Sequence, residues 1–448
     1  MSSTANVVGI GSSRRLKVAV TISVAFFVAY FDRTNVTVLL ADHHFTADLG
    51  ISDSKFQQGL LLTAFLLPYG LCNFVVGPIA DKIGGRRALI FSIIAWTVLM
   101  VAMGSVSSFI AMLVLRVVLG LGESVMTPAC NLIVAEWFPD KERARANSSW
   151  LTGLFLAPAI SFPIIVAMVN LFGWRASFYI LALIGIVIAL PMALAWTTDR
   201  PEQHRAMTES ELHTIRSGQL AAQQVPDLRE RLREMFGNYR YWITVFSYIG
   251  YGVGFWGITT FVPSYLENER GQSFSTSGVM SVAPWLAAAV LAVVFGLLGD
   301  RFPSRRVLLW SGGYLLAALL SFVGVRVGTL SLSIVFISAA VGFTASTLPP
   351  MWSVIQEIVP RGITGMGTGI VNGVSYVAAS VGPALVGALV DATGSYNLGF
   401  GILAGTLVVT ALALAPLWRG HLPPGRGEPA AATGVAHRPS FETSRRSS

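Results

Sequence analysis

The chain is 448 residues long, 53% hydrophobic and only 12% charged, with a mean hydropathy of +0.64. Soluble domains carry about a quarter charged residues, so the solvent for most of this chain is lipid. The net charge of +8 does not mark a nucleic-acid binder, because the basic residues lie between apolar runs, where positive loops and anionic lipid account for them.

A bilayer core needs about 20 apolar residues per helix, and twelve runs of suitable length follow one another. They cover residues 17–41, 56–76, 88–104, 109–135, 148–170, 176–197, 241–266, 275–298, 307–325, 330–358, 364–390 and 396–418. The first run follows Arg14, Arg15 and Lys17, is long enough to span and lacks a small-residue cleavage pattern, so it reads as a retained helix and not a signal peptide. Cys72 and Cys130 fall inside apolar runs with neither disulfide nor metal spacing, and read as small buried side chains. His43 and His44 close the first span; adjacent side chains point different ways, so no metal is assigned.

The stretch from Thr198 to Arg240 breaks the apolar rhythm with charge, glutamine and Pro226. Within it Thr208 and Glu211 have capping-box spacing before an amphipathic segment, which predicts a surface helix. The tail after Arg419, rich in Pro, Gly, Ala, Ser and Arg, is expected to be disordered. The expected division is a segment 1–16, a six-helix bundle 17–197, a connection 198–240, a second six-helix bundle 241–418 and a tail 419–448. Lys and Arg concentrate at the N-terminus, around Lys82–Arg87, Lys141–Arg145, Arg200–Arg240 and Arg301–Arg306, at Arg361 and in the tail, whereas the alternate loops hold only Lys55, Arg175, Arg270 and Arg326. The positive-inside rule then puts both termini and the connection in the cytoplasm.

The two halves repeat each other. Gly77-Pro-Ile-Ala-Asp81-Lys82-Ile-Gly84-Gly85-Arg86-Arg87 recurs as Gly296-Leu-Leu-Gly299-Asp300-Arg301-Phe302-Pro303-Ser304-Arg305-Arg306, between the second and third span of each half. Glu136, Pro139 and Pro163 recur as Glu357, Pro360 and Pro383 at the same offset within two residues. This doubled pattern resembles the signature loop of the major facilitator superfamily, which implies an all-α membrane protein of two six-helix bundles related by a pseudo-twofold axis. Small residues let helix ends approach, and an Asp flanked by cations can pair across a cytoplasmic interface in one conformation and release in another. Asp81, Arg86, Arg87, Asp300 and Arg301 are the candidate cytoplasmic gate; the alternative is a set of snorkelling loop charges. The second copy departs at Pro303 and Ser304, which puts its latch role in doubt.

Tyr30-Phe31-Asp32-Arg33-Thr34-Asn35 in the first span, with Arg116-Val-Val-Leu-Gly120-Leu-Gly122-Glu123 in the fourth, is similar to the anion:cation symporter family. That family includes galactonate, hexuronate, glucarate and phthalate carriers and the sialin and vesicular glutamate relatives. The similarity runs from about Phe26 to Trp418 and is specific for family, not for substrate.

Charges inside membrane spans cost several kcal/mol each and are rare. Arg116 and Glu123 are seven apart, nearly two turns, so both lie on one stripe about 10 Å apart along the axis and can meet directly or through a substrate. Asp32 and Arg33 diverge by about 100°. Arg33 reads as an anion clamp, since a guanidinium holds a carboxylate bidentately and keeps its proton. Proton coupling needs a carboxylate whose charge can change as its arginine partner comes and goes. The resemblance implies that Asp32 and Glu123 are the proton-coupling pair and that Arg116 is tied to both substrate and acid. The competing reading is a static ion-pair network holding the first and fourth helices.

Further substrate contacts are expected from Asn35, which adds hydrogen-bonding capacity, and from Tyr69, which follows Pro68 and offers a hydroxyl or is a core tyrosine. Trp352, after Pro349 and Pro350, suits a gate or a stacking wall. Asn372 sits in a Gly-rich run where the resemblance implies a substrate-contacting Asn; an interhelical hydrogen bond is the alternative. In the seventh span Tyr248, Tyr251, Trp256 and Thr259 compete, and sequence alone does not choose among them.

The expected function is uptake of a small organic anion with protons across the inner membrane, by a monomer without cofactor or metal. Efflux of lipophilic cations would favour an acidic, arginine-poor cavity. A membrane sensor has no signalling segment in the loop or tail. An enzyme has no supporting constellation of phosphate loop, metal ligands or nucleophile and base. Sugar acids and aromatic acids both remain open as substrates, the first needing hydroxyl partners and the second stacking walls.

Overall fold

A computed structural model describes residues 13–139, 142, 146, 149–150, 153–217, 228–360 and 363–418. The tail after Trp418 lies outside the described residues, as do 218–227 of the central connection.

The first half begins with α1 (Ser13–Leu39) and the short α2 (His43–Asp48), followed by α3 (Lys55–Cys72) and α4 (Val76–Ile83), which continue one another across a turn. Next come α5 (Gly85–Ser105), α6 (Phe109–Glu123), α7 (Met126–Trp137), α8 (Gly153–Phe172), α9 (Trp174–Ile184) and α10 (Leu190–Trp196), the last two joined by a π turn, Gly185–Ala189. The connection carries α11 (Glu209–Ser217) and α12 (Leu228–Gly237). The second half holds α13 (Tyr239–Tyr251), a π segment Gly252–Trp256, α14 (Gly257–Asn268), α15 (Phe274–Met280), α16 (Val282–Arg301), α17 (Arg306–Gly324), α18 (Leu330–Ser346), α19 (Leu348–Ile358), α20 (Thr364–Thr393), α21 (Tyr396–Leu412) and α22 (Ala415–Trp418). Among the described residues eight helices are long and apolar enough to cross a bilayer.

Local sequence explains the ends. Ser54, Ser108 and Ser273 each accept from a backbone N–H three residues on, and so cap α3, α6 and α15. Gly394, at φ 69°, ends α20 in the left-handed region that glycine adopts without strain. The outside of the molecule is apolar: Phe91, Ile110, Leu171, Leu183 and Leu297 are all exposed, as a hydrocarbon solvent requires.

The halves meet along two seams, α3 against α20 and α8 against α15 and α16. The first seam is close because glycine lines it from both sides. A Cβ on Gly59 would come within 2.4 Å of the Pro383 carbonyl oxygen, and one on Gly387 within 2.2 Å of that of Lys55. At the end of the molecule remote from the termini, the halves are also tied by polar groups. Asp391 of α20 accepts from Lys55 N at 2.7 Å, Phe56 N at 2.9 Å and Ser54 Oγ at 3.1 Å, so a carboxylate from one half caps a helix of the other. His43 pairs with Glu267 at 3.3 Å, and Asn170 donates to Ser275 Oγ at 2.9 Å.

At the opposite end, α11 is held to the first half: Glu211 accepts from Arg14 at 2.7 Å and lies 3.7 Å from Arg15, while Arg216 lies 3.6 Å from Glu136. In α12, Met235 is buried against Gly367 of α20. The helix expected from Thr208 and Glu211 is therefore present, with Glu211 engaged by the start of α1.

Candidate substrate site

Four charged side chains are buried together in the first half: Asp32, Arg116 and Glu123 are fully buried and Arg33 is 7% exposed. Arg33 Nε donates to Glu123 Oε2 at 3.0 Å, an ion pair between α1 and α6. Glu123, Arg116 and Arg33 are the charged neighbours of Asp32. Two cations and two anions make the cluster formally neutral, the condition under which charges persist in a low-dielectric interior.

Aromatic rings hold the arginines. The Arg33 guanidinium lies 4.7 Å from the Tyr30 ring, 5.1 Å from Phe65 and 4.6 Å from Tyr69. Arg116 lies 5.0 Å from the same Phe65 ring and donates from Nε to Leu61 O at 3.3 Å. Phe65 is thus shared by both guanidiniums. Gly120 allows this arrangement, since a Cβ there would fall 2.4 Å from the Phe65 carbonyl oxygen.

Arg33 also faces a small cavity of about 20 Å³, whose walls come from α1, α8, the π segment, α14 and α16 and include Tyr30, Phe162, Trp256, Thr259 and Trp285. That is room for about one water molecule. The π segment brings Trp256 to this wall; such single-turn expansions re-aim a side chain and recur at functional sites. Tyr376 of α20 completes the surround, 4.8 Å from the Tyr69 ring and 6.3 Å from Trp256. The cavity therefore touches both halves.

Of the residues singled out in sequence, Arg33 lines the cavity, Glu123 is bonded to it, and Tyr69 stacks on it while its hydroxyl lies 3.3 Å from Thr127 Oγ1. Asp32, Asn35 and Arg116 are buried away from that cavity; neither Asp32 oxygen nor either Asn35 amide atom has a hydrogen-bond partner among the described residues. Arg116 and Glu123 share a stripe of α6, yet Glu123 is bonded to Arg33 of α1, and among the described residues Arg116 makes no ion pair. Trp352 is half-buried with its ring edge-on to Tyr248 at 5.6 Å, and Asn372 is half-buried one turn before Tyr376 on α20. In the seventh span, Trp256 and Thr259 face the cavity, whereas Tyr248 and Tyr251 stack on each other at 5.4 Å.

The side chains of Asp81 and Asp300 lie outside the described residues. Arg86 donates its backbone N–H to Asp199 Oδ1 at 2.8 Å and a guanidinium N–H to Leu194 O at 3.0 Å. Arg87 lies 3.8 Å from Asp199, so both engage the end of α10 in their own half. Arg301 is exposed beside Phe302, while Arg306 bonds Glu357 at 2.5 Å. No group of three or more His, Cys, Asp or Glu among the described residues is placed to hold a metal.

Sequence reasoning did not single out Phe65, Phe162, Trp285 or Tyr376, and quoted Tyr30 only as part of a motif. Phe65 and Tyr69, four apart, share a helix face, a legible signal; Phe162, Trp285 and Tyr376 come from distant helices and carried none.

The family model described as Major Facilitator Superfamily matches residues 22–383 and again 244–446. The chain belongs to the major facilitator superfamily. It is thus a multi-pass membrane transporter of all-α architecture and not an enzyme. A hexuronate transporter of Bacillus subtilis is 27% identical over 413 residues, covering 90% of this chain and 94% of that one. A probable sulfoacetate transporter of Cupriavidus necator is 31% identical over 395 residues, covering 87% and 90%. A D-galactonate transporter of Escherichia coli is 25% identical over 419 residues, covering 90% and 93%. A bacterial homologue of the human lysosomal transporter Spinster, solved inward-facing and unoccupied, superposes with a TM-score of 0.68 at 20% identity, covering 91% of this chain and 96% of that one; this likeness concerns the fold.

Proposed function

We propose that this transporter carries a small organic anion into the cell together with protons, by alternating access across the inner membrane. Two six-helix bundles, 17–197 and 241–418, provide twelve spans, with both termini and the 198–240 connection in the cytoplasm. The contacts of Asp391, His43 and Asn170 then close the periplasmic end. Asp81, Arg86, Arg87, Asp300 and Arg301 form the cytoplasmic gate.

The observation that carries this reading is the neutral cluster with one arginine at the cavity wall. An anion arriving at Arg33 competes with Glu123 for the guanidinium. Glu123 would then be a buried carboxylate without its partner, a costly state that taking up a proton relieves. Charge balance alone therefore couples anion entry to proton entry. Asp32, beside Glu123 and Arg116, is the second coupling acid. Arg116 fixes Phe65 and the charge balance, and Asn35, Tyr69, Trp352 and Asn372 contribute to the substrate path. The named cargoes of the relatives, hexuronate, galactonate and sulfoacetate, are organic anions, which agrees with an arginine at the cavity.

The test uses proteoliposomes with an imposed inward proton gradient. Glu123→Gln keeps side-chain volume and loses the titrating group, so counterflow exchange should persist while accumulation above the external concentration is abolished. Accumulation by Glu123→Gln equal to that of the parent would overturn the coupling assignment.

A further inference from the structure

Resting on the anion-transport reading above, we infer that the cargo is a compact aromatic monocarboxylate and not a polyhydroxylated acid. The wall facing Arg33 is built from rings: Tyr30, Phe162, Trp256 and Trp285 line the cavity, and Tyr376 and Tyr69 stand beside it. Trp285 is itself held in place, edge-on to Phe255 at 5.3 Å and tilted to Phe162 at 6.5 Å. Rings positioned in this way offer offset and edge contacts to another flat ring.

Three of the four threonine hydroxyls of the same wall have already committed the proton they could give to a sugar hydroxyl. Besides Arg33, the polar lining consists of Thr34, Thr37, Thr259 and Thr260, together with the Tyr30 hydroxyl and the indole N–H groups, without a carboxylate, an amide or a second cation. Thr34 and Thr259 each spend their one proton on a carbonyl of their own helix, Tyr30 O and Phe255 O, both at 2.6 Å, and Thr37 does so to Arg33 O at 3.5 Å. A sugar acid brings several hydroxyls, each of which must replace its water partners or be buried unsatisfied. A ring bearing one carboxylate asks only for Arg33 at one end and stacking walls along its body.

At about 20 Å³ the cavity holds no ring in this conformation, so entry must displace side chains of the wall, which includes two indoles, Trp256 on the π segment and Trp285 on α16. Binding therefore has an optical signature as well as an energetic one.

The experiment titrates purified full-length protein with benzoate and, separately, gluconate and galacturonate, following melting temperature and tryptophan fluorescence. Benzoate should raise the melting temperature and change the fluorescence, with the hexose-derived acids at least tenfold weaker. Trp285→Leu, which keeps apolar volume but removes the ring, should weaken benzoate at least tenfold and erase most of the fluorescence change. Trp285→Phe, which restores a ring, should recover most of the affinity. Should Trp285→Leu fail to fold, the parent's ranking of the three acids still decides the matter. If gluconate or galacturonate binds as well as benzoate, the inference falls while anion transport stands. If no carboxylate of either class binds, both fall.

Discussion

Replacing Asp391 by Ala perturbs a contact that exists only while the two halves are closed at the end remote from the termini. Its carboxylate takes three hydrogen bonds, from Lys55 N, Phe56 N and Ser54 Oγ, at the positive end of α3. Loss of a helix N-cap costs about 0.5–2 kcal/mol, and Asp391 is exposed, so a value near the low-to-middle part of that range, about 1 kcal/mol, applies. Because 1.4 kcal/mol is tenfold, the equilibrium should move about fivefold towards the state open at that end. The assay places a cysteine at Thr37, on the cavity wall, after Cys72 and Cys130, the two native cysteines, are replaced by Ser. Labelling by a membrane-impermeant maleimide added from the periplasmic side should run about five times faster in Asp391→Ala than in the Asp391 parent. Asp391→Asn, which keeps one acceptor, should fall between them. Equal or slower labelling in Asp391→Ala would refute the idea that this cap helps to close the periplasmic end.

Other outcomes follow from the same contacts. Arg33→Ala leaves Glu123 buried without its ion-pair partner, a loss of about 3–5 kcal/mol that should show as a lowered melting temperature in detergent, whereas adding Glu123→Ala should restore part of it; strictly additive losses in the double variant would count against the pair. Outside the spans, Asp48 accepts from Arg175 at 2.6 Å and from Trp174 Nε1 at 3.0 Å, which holds its carboxyl below the ordinary carboxylate value. A lowered folded-state value means stability that is present above the unfolded value of about 4 and is lost as pH falls through the folded one. Arg175→Ala should therefore cost stability at pH 7, by about 1 kcal/mol or less for so exposed a pair, with the gap to the parent narrowing below pH 4; a gap independent of pH would contradict the assignment.

Much of the architecture was legible because lipid imposes a blunt rule. Every backbone polar group in hydrocarbon must be satisfied within its own helix, so apolar runs of helical length identify themselves, and the four charges that interrupt them stand out. The doubled Gly-x-x-x-Asp loop, 219 residues apart by the difference between Asp81 and Asp300, revealed the internal repeat. Arg116 and Glu123, seven apart, both lie on α6 and are both buried.

Pairing was a different matter. A seven-residue interval fixes direction but leaves about 10 Å along the axis, and Glu123 found Arg33 on α1 at 3.0 Å instead. The close approach of α3 to α6 at Gly120 accompanies this pairing and sets the Phe65 ring 5.1 Å from Arg33 and 5.0 Å from Arg116. Arg86 and Arg87 likewise meet Asp199, more than a hundred residues on, where α10 returns to their end of the molecule.

The sequence by itself determined the solvent, the helices and the presence of buried charge, because these depend on composition and short-range period. Which acid holds which arginine, which rings wall the cavity, and that Asp391 caps a helix begun 336 residues earlier were settled only by tertiary packing. Such contacts depend on how separate helices cross, and no local period encodes that.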